Sequence, residues 1–361
     1  MRKLIFKVHM YAGLCVGLLL AVSGLTGSIL VFGEEIDRLL NPSLLRVEPR
    51  AEKATLEDVL GSAGRAYPNE KAARIRFPAF SGGTYEVCFE AKRDPRCAYV
   101  DPHSAALLGS RVPAHSFKAR LISLHRRLLS GETGETIIGI GGMLLLLMGL
   151  SGLFLWWPGR RNLSRGWTIK RSGSTYRTAY NLHRMLGVCT FVFLIVTAFT
   201  GAAMVFRPSF EGVLNRLAST PGTPAPKPTS VARSGERASL DVVLRNADAL
   251  LPQGETTMIT LATTPQSAIT VRKKLPSEWH PSGRSLVHLD QYSGAPLLVE
   301  NGLQAPIGTR IGSNLYPIHT GRYGGLWTRA LQVLIGCALV GLFISGSIMF
   351  WGRRLAKRFQ R

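Results

Sequence analysis

One apolar stretch occurs twice in this chain, first as HMYAGLCVGLLLAVSGLTGSILVF (residues 9–32) and again as HRMLGVCTFVFLIVTAFTGAAMVF (residues 183–206). Histidine, glycine, cysteine and a Thr-Gly pair align between the two copies at a constant offset of 174. A second match has an offset of 194 and aligns His125 with His319, Ser151-Gly152 with Ser345-Gly346, and Trp157 with Trp351. The sequence therefore predicts a duplicated unit with four histidines at equivalent places.

Four apolar stretches are each long enough to cross a hydrocarbon core about 30 Å thick. They cover residues 8–32, 136–157, 182–206 and 326–351. The first follows a basic start, but its apolar run is longer than that of a signal peptide, and we expect it to be retained as an anchor. The predicted fold class is an α-helical integral membrane protein with four transmembrane helices arranged as two repeats.

The excess of basic residues, a formal net charge of +22, is concentrated beside the predicted spans. Residues 1–7, 158–184 and 352–361 carry fifteen Lys and Arg and no Asp or Glu, whereas the connections 34–135 and 207–325 are nearly balanced. Since Lys and Arg are enriched in cytoplasmic loops, we expect both termini in the cytoplasm and both long connections outside. Because these charges flank membrane lipid, nucleic acid is not expected as a partner.

Each long connection contains one helical pattern followed by strand-like runs. The helices are predicted over residues 54–67 and 239–251, and the strands over 73–77, 84–90, 98–101, 256–262, 268–273 and 285–290. The connections also end alike, as VDPHSAALLG and LDQYSGAPLL. One helix on a few strands predicts a small α+β domain in each connection. Cys88 and Cys97 flank a predicted hairpin, where a disulfide is permitted, and the sequence leaves their pairing open.

Both repeats cross the membrane in the same direction, so a pseudo-two-fold axis along the membrane normal is expected to relate them. The predicted segments are transmembrane helix 1 (8–32), soluble domain 1 (34–118), an external amphipathic segment with transmembrane helix 2 (119–157), a cytoplasmic basic loop (158–181), transmembrane helix 3 (182–206), an extended linker (207–230), soluble domain 2 (231–310), an external loop with transmembrane helix 4 (311–351) and a cytoplasmic basic tail (352–361). Equivalent positions then face one another at equal depth.

This symmetry places His9 opposite His183 near the cytoplasmic face and His125 opposite His319 near the external face. Two imidazoles that meet across an axis can hold a haem iron between them, and a haem with two histidine ligands mainly transfers electrons. We therefore predict two haem b groups with these four axial ligands. Covalent attachment is not expected, because the sequence has no C-x-x-C-H motif.

Several alternatives stay open at this point. His115 competes with His125 for the external site, and zinc is the rival metal, although no third ligand is evident beside His9 and His183. The small pairs Thr26-Gly27, Thr200-Gly201, Ser151-Gly152 and Ser345-Gly346 either make room for haem or only pack helices. Basic neighbours that either pair with haem propionates or anchor the helices are Arg126, Arg127 and Arg184. Histidines expected to be structural or on the surface are His103, His280 and His288.

The pattern of His9, Gly13, Gly17 and Thr26-Gly27, then His125 and LFLWWPGRR (residues 153–161), resembles the PepSY-associated transmembrane-helix family. The resemblance covers nearly the whole chain. It implies a bacterial inner-membrane protein with two haems, two PepSY-like periplasmic domains and the same four histidine ligands. Members include iron-regulated proteins and ferric-siderophore reductases such as ferrioxamine reductase. The resemblance thus implies an oxidoreductase with a ferric siderophore as its electron acceptor.

Reduction would release iron, because Fe(II) binds hard charged oxygen donors less tightly than Fe(III) does. The loop 158–181 is too short for a flavin or nicotinamide domain, so the electron donor is expected to be a quinol or a separate reductase. Candidates for recognising the chelate are Lys273, Lys274 and the Trp279–His280 loop. Two other functions remain: a siderophore or iron transporter, and a regulatory or binding protein that would tolerate loss of the histidines.

Overall fold

The computed structural model describes residues 1–162, 167, 174–219, 228–231 and 236–358. These residues form two compact units. The helical unit comprises Met1–Gly33, Leu121–Phe210 and Leu315–Arg361, and the sheet unit comprises Glu34–Arg120 and Glu211–Asn314. Parts of the predicted cytoplasmic loop, linker, second soluble domain and basic tail lie outside the described residues, namely 163–166, 168–173, 220–227, 232–235 and 359–361.

The secondary structure alternates between long helices and two groups of strands. The α-helices are α1 (Arg2–Val31), α2 (Gly33–Leu40), α3 (Pro42–Leu45), α4 (Leu56–Ala66), α5 (Phe117–Arg127), α6 (Gly131–Trp156), α7 (Thr175–Val205), α8 (Arg207–Leu217), α9 (Leu240–Leu250), α10 (Ile307–His319) and α11 (Gly325–Arg358). The strands are β1 (Ala72–Arg76), β2 (Tyr85–Phe89), β3 (Cys97–Val100), β4 (Leu107–Arg111), β5 (Glu255–Thr260), β6 (Ile269–Lys274), β7 (Ser285–Leu289) and β8 (Pro296–Glu300).

Four of the described helices, α1, α6, α7 and α11, are long and apolar enough to cross a membrane. They coincide with the four predicted spans. The first three begin five to seven residues before the predicted apolar runs, in polar sequence such as Gly131–Glu135. Apolar composition marks only the part of a helix that lies in hydrocarbon, whereas backbone hydrogen bonding continues into the flanks.

Small residues bring the helices of this unit close together. A Cβ added to Gly24 on α1 would lie 2.6 Å from the carbonyl oxygen of Gly336 on α11. One turn further, Ser28 Oγ donates a hydrogen bond to the Val333 carbonyl at 3.0 Å. Close backbone approach through glycine and a hydroxyl contact between helices are typical of membrane bundles.

The sheet unit contains one antiparallel sheet of eight strands in the order β4-β3-β2-β1-β5-β6-β7-β8. The sequence predicted a separate small sheet in each of two domains, but β1 pairs with β5, with Ile75 opposite Ile259, and joins the two halves. Without this pairing, β1 would be an edge strand of the first half and β5 an edge strand of the second, each with unpaired N–H and C=O groups. Pairing the two edges removes both.

Helices α4 and α9 cover one face of this sheet. Val59 on α4 and Val243 on α9 pack against the strands in one core with Ile75, Ile259 and Val271, and all five are fully buried. Both helices begin with a hydroxyl cap, since Thr55 accepts from the Asp58 N–H and Ser239 from the Val242 N–H. The sequence predicted these helices and six of the strands.

Two edge strands, β4 and β8, and four described helices, α2, α3, α8 and α10, were not predicted. Strands β4 and β8 carry no clear alternation of buried and exposed residues, and β8 begins with a proline, which is tolerated at an edge. Helix α8 occupies the start of the predicted linker. Pro208 lies in its first turn, where the missing N–H costs nothing, and Asn215 near its end accepts a hydrogen bond from the Gly308 N–H at 2.8 Å.

The structure shows whether Cys88 and Cys97 form a disulfide, which the sequence left open. Cys88 on β2 lies directly opposite Cys97 on β3, and the two form a disulfide. Both are buried, with Tyr99, beneath Leu44 and Leu45 of α3. This small cluster covers the β2–β4 end of the second face of the sheet.

A buried ion pair connects α2 to the edge of the sheet. Asp37, which is 4% exposed, accepts two hydrogen bonds from Arg111 of β4, each 2.7 Å long. Arg111 Nε also donates to the Tyr99 hydroxyl at 2.9 Å. Burial alone would raise the pKa of the Asp37 carboxyl, but the hydrogen bonds and positive charge of Arg111, helped by Lys118 and Asn41, outweigh it and lower the pKa.

Candidate functional site

Four histidines lie in two pairs within the helical unit. His9 of α1 and His183 of α7 have ring centres 6.3 Å apart, with their planes at 87°. His125 of α5 and His319 of α10 have ring centres 6.3 Å apart, with their planes at 55°. The structure thus brings together the two pairs that the repeat predicts.

The separation of 6.3 Å is compatible with two imidazoles on opposite sides of one metal ion. Metal–nitrogen distances of about 2.0 Å place the centres of two collinear rings roughly 6 Å apart. The same separation also lies within the range of about 4.5–7 Å for aromatic rings in direct contact. The chemistry and spacing of the residues present are therefore compatible with one metal ion that each pair of histidines would hold.

At the first pair, the Nδ1 atoms are bound to the neighbouring helices. His9 Nδ1 lies 2.9 Å from Ser151 Oγ, and Ser151 donates its own hydrogen to the Met148 carbonyl at 3.1 Å. His183 Nδ1 lies 3.0 Å from the Leu342 carbonyl and 3.1 Å from Ser345 Oγ. Since a carbonyl can only accept, His183 Nδ1 carries the proton, and a hydroxyl already donating elsewhere imposes the same tautomer on His9.

The second pair repeats this arrangement. His125 Nδ1 lies 2.9 Å from the Ser23 carbonyl and 3.2 Å from Thr26 Oγ1. His319 Nδ1 lies 3.1 Å from the Thr197 carbonyl and 3.0 Å from Thr200 Oγ1. In all four histidines the protonated Nδ1 is occupied, and the unprotonated Nε2 is left for a metal. Metal-bound histidines are usually held in this way.

A glycine next to each hydroxyl residue makes room for the ring. A Cβ added at the glycine would lie 3.3 Å (Gly152, His9), 3.5 Å (Gly346, His183), 2.9 Å (Gly27, His125) or 3.1 Å (Gly201, His319) from the Cε1 atom of the histidine. The four small pairs of the sequence are therefore not only helix-packing residues. In each, one residue hydrogen-bonds the imidazole and the next allows it to approach the helix.

Within each repeat, every histidine is oriented by residues of another helix of the same repeat. α1 carries His9 and holds His125 through Thr26-Gly27, whereas α6 holds His9 through Ser151-Gly152. The second repeat does the same with α7 and α11. Each histidine is thus oriented by its own repeat but faces a histidine of the other repeat.

The electrostatics keep the second pair neutral. Burial lowers the pKa of His125, and burial with the nearby His125 lowers the pKa of His319 to about 4. An imidazole must be neutral to ligate a metal. Both rings meet this condition at pH 7.

The basic residues near these histidines are largely engaged by the protein. Arg126 and Arg127 each donate to Glu135 at 2.9 Å. Both arginines are thus paired with one carboxylate, and their pairing with haem propionates stays a prediction. Arg184 lies with its guanidinium carbon 5.8 Å from the centre of the Tyr180 ring.

The competing histidines lie elsewhere. His115 is exposed in the sheet unit, 3.9 Å from Asp94, and does not join His319. His103 hydrogen-bonds the Glu52 carbonyl, and His288 bonds Thr270 Oγ1. Each therefore has a local partner in the sheet unit.

The zinc alternative lacks ligands. Among the described residues, the group of three or more His, Cys, Asp or Glu at metal-binding distances consists of Glu86, Cys88 and Cys97. Its two sulfurs are joined in the disulfide, so they cannot act as thiolates. Within the part of the chain that the structure describes, neither histidine pair belongs to a group of three such ligands, whereas zinc sites use three or four protein ligands.

One predicted chelate-binding residue is unsuitable. Lys273 is fully buried on the core side of β6 and pairs with Asp248 of α9. Its neighbour Lys274 points to the other face and is partly exposed. The prediction for Lys273 was therefore wrong, because strand alternation places it with Ile269 and Val271 in the core.

The hydroxyl residues Ser151, Ser345, Thr26 and Thr200 are the functional positions whose role the sequence did not define. The sequence did contain a pattern that marks these hydroxyl residues, since they align between the repeats at the same offsets as the histidines. The carbonyls of Ser23, Thr197 and Leu342 carried no such signal, because any residue supplies a carbonyl.

Comparison with known proteins identifies the family. No curated protein shows significant similarity to the chain. The family described as the PepSY-associated TM region matches residues 6–353, a range that includes all four paired histidines. Together with its four apolar helices, this match shows that the chain is a membrane protein and belongs to the PepSY-associated TM family.

Proposed function

We propose that this protein is a di-haem b electron-transfer protein that reduces ferric siderophores outside the membrane, so that iron leaves the chelate as Fe(II). The observation that carries the proposal is the geometry of the two histidine pairs. Each pair has the separation expected for two ligands of one metal, and each Nδ1 is bound so that Nε2 is left free.

In this proposal His9 and His183 hold one haem and His125 and His319 hold the other. A haem with histidine on both sides has no open coordination site and transfers electrons. The hydroxyl and carbonyl acceptors on neighbouring helices fix the orientation of the imidazoles.

We further propose that the protein lies in a bacterial inner membrane with both termini in the cytoplasm and the sheet unit in the periplasm. Two observations support this orientation. The basic segments flank the ends of the spans that would face the cytoplasm. The Cys88–Cys97 disulfide lies in the sheet unit, and disulfides persist in oxidising compartments such as the periplasm.

The substrate follows from iron chemistry. Hard oxygen donors hold Fe(III) tightly and Fe(II) less well, so one electron releases the metal without breaking the chelator. The electron balance requires a donor, which we propose to be a membrane quinol or a separate reductase. The donor delivers its electron at the His9–His183 side, and the ferric siderophore takes it at the His125–His319 side.

The first test is the dithionite-reduced minus oxidised visible spectrum of the detergent-purified protein, with haem counted per chain. We expect two low-spin b-type haems. His9→Ala and His183→Ala should remove the same haem, and His125→Ala and His319→Ala the other. His115→Ala is the matched control and should retain both.

The second test is anaerobic reduction of a ferric siderophore by the dithionite-reduced protein, followed by trapping Fe(II) with a ferrous chelator. A variant without the His125–His319 haem should not reduce the siderophore in this assay, because the proposal places the acceptor at that side. A colourless protein would refute the reductase proposal. Full biological activity after loss of all four histidines would favour a regulatory role, and uptake by a haem-free variant would favour transport.

A further inference from the structure

The second face of the sheet carries a group of arginines where β1, β5 and β6 meet. The pairing register places two rows side by side, Arg76–Met258–Arg272 and Arg74–Thr260–Thr270. Side chains alternate along a strand, and Ile75, Ile259 and Val271 point into the core beneath α4 and α9. The residues of the two rows therefore lie on the opposite face.

These arginines are close in space. Neighbouring strands lie about 4.8 Å apart and alternate residues on one strand roughly 7 Å apart. Arg74, Arg76 and Arg272, which we call the arginine cluster, consequently have their Cα atoms within a patch about 12 Å across. The positive charge of the cluster is only partly balanced by acidic residues. Among the described residues, the ion pair of the cluster is that between Arg76 and Glu86, at 3.6 Å.

Arg272 is the least satisfied member. Its Nε atom is buried and has no hydrogen-bond partner among the described residues. Burial lowers the pKa of its guanidinium, and the positive charge of Arg76 lowers it further, while Glu278 opposes this. A buried cationic donor without a partner is costly. An anionic ligand beside the Arg272 guanidinium would offset this cost by opposing its positive charge.

We propose that the arginine cluster binds a small ligand with several carboxylate groups. Guanidinium presents two parallel N–H donors that match a carboxylate, and three guanidiniums around one patch match a polycarboxylate better than a single charge. The Met258 side chain lies between Arg76 and Arg272 and gives the patch an apolar centre. The exposed Thr260 hydroxyl adds a donor beside it.

The inference deepens the proposed function and rests on it for the metal: the substrate class becomes a ferric chelate that carries free or metal-bound carboxylates. Chelates with no net charge, such as a complex of Fe(III) with three hydroxamate anions, and those with a net positive charge gain nothing from three guanidiniums. The arginine cluster therefore selects anionic ferric chelates over neutral or cationic ones.

Binding can be measured without electron transfer. Gallium(III) is a redox-stable substitute for Fe(III), so gallium(III) citrate tests the arginine cluster whether or not the protein carries haem. Isothermal titration of the full chain in an uncharged detergent at low salt gives the affinity. The gallium(III) complex of a neutral trihydroxamate is the comparison ligand.

We expect gallium(III) citrate to bind the wild-type protein more tightly than the trihydroxamate complex. Arg76→Gln and Arg272→Gln should each weaken citrate binding about tenfold or more, the effect of losing one charge-assisted pair. Arg93→Gln removes an exposed arginine of the same unit outside the cluster and should leave binding unchanged. Arg272→Lys keeps the positive charge but loses the two parallel N–H donors of the guanidinium. It should therefore bind citrate more tightly than Arg272→Gln and less tightly than the wild type.

Equal affinity in Arg93→Gln, Arg76→Gln and Arg272→Gln, or absence of citrate binding to the wild-type protein, would overturn the inference. Tighter binding of the neutral trihydroxamate would overturn it as well. Arg76 is exposed on the surface, so its variant tests the cluster even if Arg272→Gln unfolds. If citrate binds as expected to a protein that lacks haem, only the proposed function fails. If two haems are present but citrate does not bind, only this inference fails.

Discussion

Replacing Gly27 by alanine would place a methyl group 2.9 Å from Cε1 of His125. Carbon atoms pack without repulsion at about 3.5–4.0 Å, so the ring must retreat by at least about 0.6 Å. Metal–ligand distances tolerate changes of only about 0.2 Å. We therefore expect Gly27→Ala to lose the haem that His125 and His319 would share, while the other haem remains.

The four equivalent glycines form a graded series. The same methyl group would lie 3.1 Å from His319 in Gly201→Ala, 3.3 Å from His9 in Gly152→Ala and 3.5 Å from His183 in Gly346→Ala. The required ring displacement falls from about 0.6 Å to almost nothing across this series. Haem affinity should decrease most in Gly27→Ala, by about 10–100-fold, and hardly change in Gly346→Ala.

The assay is haem stoichiometry by reduced-minus-oxidised spectroscopy, with His9→Ala and His125→Ala as standards for the single-haem spectra. Gly24→Ala is the packing control, because its methyl group would meet Gly336 at 2.6 Å and no histidine. It should lower thermal stability without selecting one haem. If Gly346→Ala loses haem as readily as Gly27→Ala, or if Gly27→Ala behaves like Gly24→Ala, these glycines serve only helix packing.

Three other predictions concern single contacts. Thr200→Val removes one acceptor from His319 Nδ1 and should weaken haem binding about tenfold and shift its midpoint potential, whereas Thr200→Ser should behave as wild type in a redox titration. Asp37→Asn leaves Arg111 buried without its partner and should lower the free energy of unfolding by about 3 kcal/mol at pH 7, measured by urea denaturation followed by circular dichroism. Cys88→Ser opens the disulfide and should cost about 2–3 kcal/mol in the same assay, with a reducing agent having the same effect on the wild type only.

The Asp37 contact also predicts a pH dependence. Its folded-state pKa lies below the unfolded value of 3.8. Its contribution to stability is therefore fully present above pH 3.8 and is lost as the pH falls through the lower folded value. Asp37→Asn should lose less stability than the wild type between pH 4 and pH 2, and equal acid sensitivity in both proteins would contradict the assignment.

The histidine pairing could be predicted from the sequence because duplication places equivalent residues at equivalent depths. The residues that hold the rings could not be assigned, since the partner of His9 is Ser151 on a different helix. Which residue meets the ring depends on the rotation of two helices about their axes, and apolar composition does not determine rotation.

In the sheet, one feature could not have been predicted from the sequence and another could have been but was not. The pairing of Ile75 with Ile259 joins strands far apart in the chain, and no local pattern encodes such a contact. Lys273, in contrast, could have been assigned correctly. It follows Ile269 and Val271 with strict alternation, which predicts a core position even for a lysine.

The exchange of support between helices affects how the protein is made. Each repeat orients both of its histidines. When only the first repeat has been synthesised and inserted, His9 and His125 are therefore already oriented, and each forms one half of a site. Neither half-site has its opposing ligand until α7 and α10 follow. On the proposed function, cofactor capture is therefore a checkpoint for complete insertion, and two separately expressed halves should acquire colour only when they are produced together.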